Sequence, residues 1–327
     1  MLRLRFTCLA MLATVAWATT STIRGGEPIA PREFQHVRIT DAWQKYANEL
    51  TFGQGQTLAL VDDGCKLSLP QWTAKMGDRP KVLVTYDRVD GDNDPRHEGR
   101  GYHGSTIGNP SSHNYDGKWG VAYNNQVAVI RGLECCHCKI ADSKTLAAGL
   151  KWIVEHHQKY RITTVNLAPV DDQAHGEPVA TEIDFQLARL RQQNIWVSAP
   201  AGNHNFTTGI SWPACQKNCF AIGAVRTGKD EVYLDRHAKV DLVVPAAATS
   251  SSNAIACGAA MLIREAIEKS GYDWQEDGKT LPDAILAIMQ KTGTPVEDNG
   301  TNRSYRRLDV LAALDHVFGA KKPATHK

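Results

Sequence analysis

Four residues far apart in the chain have the types that acyl transfer requires. Asp62 follows a continuous apolar run of strand length at 56–61, and His103 stands among glycines ahead of a helical stretch. Asn203 follows a second apolar run at 195–199, and Ser250 lies in a polar turn that leads into an Ala-rich apolar helix, the whole spanning 248–260. A serine hydroxyl is a weak nucleophile until a neighbouring imidazole takes its proton, and a buried carboxylate must hold that imidazole in the right tautomer. An asparagine amide can then donate to the oxyanion. A hydroxyl at a helix start also has orphan N–H groups and the positive end of the helix dipole beside it. Taken singly, each residue has a plainer reading: three serines before an apolar run are ordinary N-cap material, and Asp62-Asp63-Gly64 is an ordinary turn. The four together carry the argument.

The elements that must position these residues are legible as alternating strands and helices. Apolar runs of strand length occur at 56–61, 82–86, 125–130, 163–167, 195–199, 219–225 and 240–245. Helical stretches are expected at 41–50, 144–157, 182–193, from Ser250 to about 269, at 281–290 and at 308–317. Alternation at this spacing predicts an α/β fold with a mostly parallel central sheet and right-handed crossovers. Asp62 and Asn203 then fall at the C-terminal ends of buried strands, where open α/β sheets place their sites. The tryptophans at 72, 119, 152, 212 and 274 read as core or pocket walls, and His156 and His157 as a surface pair ending a helix.

The 327 residues, 42% hydrophobic and 22% charged, describe an ordinary globular protein, and a net charge of +2 with mixed signs makes no case for a nucleic-acid partner. Residues 1–18 have the basic start, short apolar run and Ala16-Trp17-Ala18 ending of an export signal, which predicts a secreted or periplasmic protein. No segment reaches the roughly 20 apolar residues of a membrane span. The organisation expected is a signal at 1–18, a linker at 19–40, a catalytic domain at 41–318 and a basic tail at 319–327. Export permits disulfides, and a bridge is expected between Cys215 and Cys219. The run Cys135-Cys136-His137-Cys138 lacks the spacing of a zinc knuckle and reads as a local disulfide or free thiols. The acidic turn at 90–95 reads as solvated, since it lacks the spacing of an EF-hand loop.

With these residues in hand, the chain resembles the subtilisin-like serine proteases, or subtilases. Leu60-Val61-Asp62-Asp63-Gly64 is similar to the family's Asp motif, with a doubled Asp closest to its kexin-like branch, and Tyr102-His103-Gly104-Ser105 is similar to its His motif. Ala201-Gly202-Asn203 resembles the oxyanion motif, and Thr249-Ser250 with Gly258-Ala259-Ala260 resembles the nucleophile motif and its helix. The order Asp, His, Ser along the chain is also that of the family. The resemblance runs from about 41 to 317 and implies a three-layer α/β/α subtilisin-like fold. It implies a serine endopeptidase with Ser250 as nucleophile, His103 as base then acid, Asp62 as its orienter and Asn203 as oxyanion donor. The partner implied is a protein or peptide substrate. No cofactor is required for catalysis, and structural calcium is allowed with no ligands assigned.

Several positions depart from the family pattern. Ala248 and Ala254 replace a usual Gly and Pro, Ser105 replaces Thr, and the segment between Pro245 and Ser250 is short. Asn166-Leu167-Ala168-Pro169 stands where the family lines its primary substrate pocket. These departures define the alternative expectation, a subtilase-fold protein with reduced or lost catalysis that acts as a binding module.

Overall fold

Strand-length runs rich in Val, Ile, Leu and Ala, bounded by Gly, Pro and Asp, pack as a buried sheet in a computed structural model that describes residues 26–96, 103–133 and 143–320. The chain begins with α1 (Pro31–His36) and α2 (Ile39–Lys45), followed by β1 (Thr57–Asp62) and β2 (Val82–Asp87). Two short helices come next, α3 (His103–Ile107) and α4 (Asn109–Ser112), and then β3 (Gln126–Arg131). Two strand and helix units follow: α5 (Ser143–Tyr160) with β4 (Ile162–Leu167), and α6 (Ile183–Gln192) with β5 (Trp196–Pro200). β6 (Phe220–Val225) and β7 (Val240–Pro245) lead into α7 (Thr249–Ser270). The chain closes with α8 (Leu281–Thr292), the hairpin β8 (Thr294–Asp298) and β9 (Arg303–Arg307), and α9 (Val310–Gly319).

The strands lie in the order β8-β9-β7-β6-β5-β4-β1-β3-β2, with the short Val232–Tyr233 strand added against β6. All neighbours are parallel except the β8–β9 hairpin and the Val232–Tyr233 pairing. The chain leaves β1 toward β3 and β2 on one side and returns to its other side with β4, so β1 is the switch point of the sheet. Asp62 is its last residue. The crevice outside the strand ends at a switch point is where such sheets bind ligands.

Both faces of the sheet are covered, which gives three layers. Leu58, Phe220, Ile222, Leu242 and Val244 pack with α2, α7, α8 and α9 in one core, while Ala59, Val61, Ile130, Val165, Leu167 and Val197 pack with α5 and α6 in the other. Alternate residues of β1 thus face opposite layers, as the two-residue period of a strand requires. α7 is the centre of the first layer. Its Ala-rich run is buried along almost its whole length, and it ends at Gly271, whose φ of 70° is the left-handed C-cap that glycine tolerates.

Two expectations are corrected. Residues 31–40, expected as linker, form α1 and the start of α2; Phe34, Val37 and Ile39 are fully buried because apolar side chains at that spacing find the α9 layer. The Val310 N–H donates to Val37 at 2.9 Å, and Arg38 pairs with Asp309, so this segment is integral to the domain. Cys215 and Cys219 are free thiols, not a disulfide. The two buried sulfurs face different partners, Gln216 Oε1 at 3.7 Å and the Phe220 carbonyl at 3.9 Å. Burial pushes the thiols up, to about 11 and about 12 respectively, which suppresses the thiolate needed for oxidation. Cys135, Cys136 and Cys138, like the export signal at 1–18 and most of the basic tail, lie outside the described residues.

Candidate active site

Asp62 leaves the end of β1 fully buried, and its Oδ2 lies 2.7 Å from His103 Nδ1. Its other oxygen accepts the Asp63 N–H at 2.8 Å. A carboxylate acceptor on Nδ1 fixes the proton there and leaves Nε2 as the basic nitrogen. His103 is the first residue of α3, where helix N–H groups have no intrahelical acceptor. Asp63 supplies one: its two oxygens accept the N–H groups of His103 and Gly104, each at 3.0 Å. Burial, then the neighbouring Asp62 charge, raise the Asp63 carboxyl above its ordinary range, while these two N–H bonds hold it down. The second Asp of the motif therefore grips the backbone that carries the imidazole.

The glycine after His103 has a steric reason. A Cβ on Gly104 would lie 2.3 Å from the Gly64 carbonyl oxygen and 3.1 Å from Asp62 Cβ. Only glycine lets α3 close on the Asp62 turn this tightly.

Ser250 is the second residue of α7 and nearly buried. The plain N-cap reading of the serine cluster does not hold, because the cap position is Ala248 and no side chain caps the helix. Ser252 is fully buried and donates to the Val244 carbonyl at 2.9 Å, which anchors the helix to β7. The joint between α3 and α7 is a small cluster of Ile107, Ala254 and Ala168. Ile107 and Ala254 each lie four residues, about one helical turn, beyond His103 and Ser250. The starts of the two helices are thereby brought to the same crevice. Gly258 continues the close packing, since a Cβ there would lie 2.6 Å from Val121 Cβ.

Asn203 follows β5 and is exposed. Its Oδ1 accepts from the Thr249 N–H at 2.9 Å and from Thr249 Oγ1 at 3.0 Å. Thr249 Oγ1 in turn accepts the Gly202 N–H at 3.1 Å. With Oδ1 committed to the first residue of α7, the Asn203 side-chain amide is held against the residue next to Ser250. The Ser250 N–H sits in the same first turn, where α7 offers it no carbonyl. The arrangement can therefore stabilise negative charge built up next to a serine hydroxyl.

Sequence reasoning singled out Asp62, His103, Asn203 and Ser250, and all four lie around the strand ends at and beside the switch point. It missed the supports. Asp63 was read as a branch marker and Thr249 as part of a motif; Asp63 caps a helix that starts 40 residues further along the chain, so no local capping signal marked it. Asn166, read as pocket lining, is fully buried and accepts from Asn253 Nδ2 at 2.8 Å, while the same amide donates to the Ser198 carbonyl at 3.1 Å. These bonds tie α7 to the ends of β4 and β5. Two carboxylates of the acidic turn engage arginines, Asp94 on Arg96 and Asp90, with Asp87, on Arg131, while Asp92 accepts the Asp94 N–H at 2.8 Å. Among the described residues, no group of three or more His, Cys, Asp and Glu is arranged to hold a metal, and no helix is long and apolar enough to cross a membrane.

Comparison with known proteins agrees with this architecture. A family model described as the subtilase family matches residues 53–307. Among solved structures, a protease from Pseudoalteromonas arctica PAMC 21717 is similar with a TM-score of 0.69 at 16% identity, over 89% of this chain and 99% of that one. No curated protein matches the sequence.

Proposed function

The chain belongs to the subtilase family, and on that premise we propose that it is an exported serine endopeptidase acting through Asp62, His103 and Ser250. Membership of the family supports serine peptidase chemistry, and the observation that carries the assignment is the 2.7 Å contact between His103 Nδ1 and Asp62 Oδ2. In this reading Ser250 Oγ attacks the scissile carbonyl of a peptide while His103 Nε2 takes the hydroxyl proton. Asp62 stays ionised and stabilises the imidazolium. The oxyanion accepts from Asn203 Nδ2 and the Ser250 N–H. Collapse expels the amine, which takes its proton from His103, and leaves an ester on Ser250. Water, deprotonated by His103, then adds to the ester and releases the acid and the serine. The first 18 residues direct export and are removed.

The test is covalent labelling of the mature protein with a fluorophosphonate, followed by digestion to locate the adduct. The adduct is expected on Ser250, lost in Ser250→Ala and kept in Ser251→Ala. A folded sample in which Ser250 takes no label would overturn the protease reading and leave the alternative, a binding module built on the same fold.

A further inference from the structure

The loop that carries Asn203 is gripped by a segment outside the four catalytic positions, Leu234-Asp235-Arg236. Asp235 is fully buried, and its Oδ1 accepts the N–H groups of His204 at 2.8 Å and Phe206 at 2.9 Å. The Asp235 N–H donates to the Gly202 carbonyl at 3.2 Å, and the Arg236 N–H to the Phe206 carbonyl at 2.9 Å. Arg236 Nη1 adds a bond to Asn205 Oδ1 at 2.6 Å, and its Nε is anchored on Asp298 Oδ2 at 2.8 Å in the β8–β9 hairpin. Residues 202, 204, 205 and 206 are thus all bonded to this segment, while Asn203 itself is bonded to Thr249.

Three further observations indicate that the grip is specific. A Cβ on Gly202 would lie 2.0 Å from Asp235 Oδ2, so the carboxylate fills the space that a side chain on the oxyanion loop would take. Leu234 and Asn205 both hold positive φ, 64° and 62°; a leucine keeps such a conformation only where its surroundings over-determine it. Asp235 Oδ2 and Ser211 Oγ, both buried near Gly202, have no hydrogen-bond partner among the described residues. Burial raises the Asp235 carboxyl above its ordinary range, opposed by the Phe206 and His204 N–H groups. A buried carboxylate without a cation is a costly way to hold two amides, but it makes them charge-assisted and short.

We propose that Asp235 is a positioning residue for the oxyanion donor: it fixes the backbone on the C-terminal side of Asn203 so that the side-chain amide meets the developing charge, and it touches no substrate. The proposal rests on the serine protease reading of the site. An oxyanion donor works because it is held in place beforehand, and displacements of about 1 Å cost on the order of 100-fold in rate.

The test measures fluorophosphonate labelling of Ser250 as kinact and KI, together with the side-chain amide resonance of Asn203 in ¹⁵N-labelled protein, assigned through Asn203→Ala. Asp235→Ala is expected to lower kinact by roughly 10- to 100-fold with KI within about twofold, and to shift or broaden the Asn203 amide signal. Asp235→Asn is expected to restore kinact to within about threefold, because its carbonyl still accepts both N–H groups and its amide can donate to Ser211 Oγ. In the Asn203→Ala background, Asp235→Ala is expected to cost nothing further. The proposal is overturned by a folded Asp235→Ala protein with unchanged kinact and amide signal, by a loss that persists in the Asn203→Ala background, or by Asp235→Asn as slow as Asp235→Ala. A wild-type protein that takes no label overturns the protease reading instead. In that event the amide resonance alone decides the positioning role: a shift in Asp235→Ala that Asp235→Asn reverses supports it, and its absence refutes it.

Discussion

On the imidazole side of the site, neighbouring residues at one strand end do the holding: Asp62 grips the ring, Asp63 grips the backbone, and Gly64 packs against Gly104. On the oxyanion side, Asn203 depends on Thr249 from one element, and its loop depends on Asp235 and Arg236 from another, with Asp298 in a terminal hairpin behind them. The first side is compact and built from charges placed directly against the reacting group. The second is distributed: amide, hydroxyl, carboxylate and guanidinium groups from four segments of the chain hold the loop, and its charges bear on the backbone around the donor instead of on the reacting group. A compact support fails all at once when one member is removed, whereas a distributed one loosens by degrees. Graded effects are therefore expected from one side and near-complete ones from the other.

The largest effects belong to the compact side. His103→Ala and Asp62→Asn are each expected to lower kcat by about 10⁴-fold or more, read as peptide hydrolysis per mole of folded protein, with circular dichroism unchanged. Hydrolysis within tenfold of wild type in either variant would remove the triad assignment. The oxyanion side is expected to give intermediate losses in two steps. Asn203→Ala should cost about 10²- to 10³-fold in kcat with little change in KM, and Thr249→Val, which keeps the donor but frees its Oδ1 from one of two bonds, roughly tenfold. If Thr249→Val were as damaging as Asn203→Ala, the support would be a single point and the contrast between the two sides would be lost.

The smallest effect concerns the far end of the distributed side. Although burial opposes it, hydrogen bonds from Thr301, Arg236 and Gly300 hold the Asp298 carboxyl below its ordinary range. A depressed carboxylate contributes stability that is complete above its unfolded value of about 3.9 and is lost as pH falls through the folded value. Asp298→Asn should therefore lower thermal stability near neutral pH, by about 1 kcal/mol, and the gap to wild type should close below about pH 4. A gap that stayed constant with pH would mean that the Arg236 anchor does not depend on the charge.

Much of the fold was legible because its strands are buried on both faces and so read as unbroken apolar runs. β7 begins and ends where the apolar run does, and most other strands differ by only a residue or so at each end. The β8–β9 hairpin was not expected: its strands carry alternate exposed polar residues, although Asn299-Gly300 between them was a readable turn signal. The N-terminal segment was misread because Gly and Pro at 25–31 suggested a linker, while the apolar positions Phe34, Val37 and Ile39 need the distant α9 layer to declare their burial.

The sequence by itself determined the residue types of the site and the strand ends and helix starts that carry them, since local propensity, hydrophobic period and order along the chain are properties of short stretches. It could not determine what holds those residues in place. The bonds from Asp63 to the start of α3, from Thr249 to Asn203 and from Asp235 to the loop beyond it join positions about 30 to 46 residues apart. Contacts of that kind exist only once the sheet has brought its strand ends together, so the tertiary structure alone decided which of the chain's many carboxylates and hydroxyls became supports.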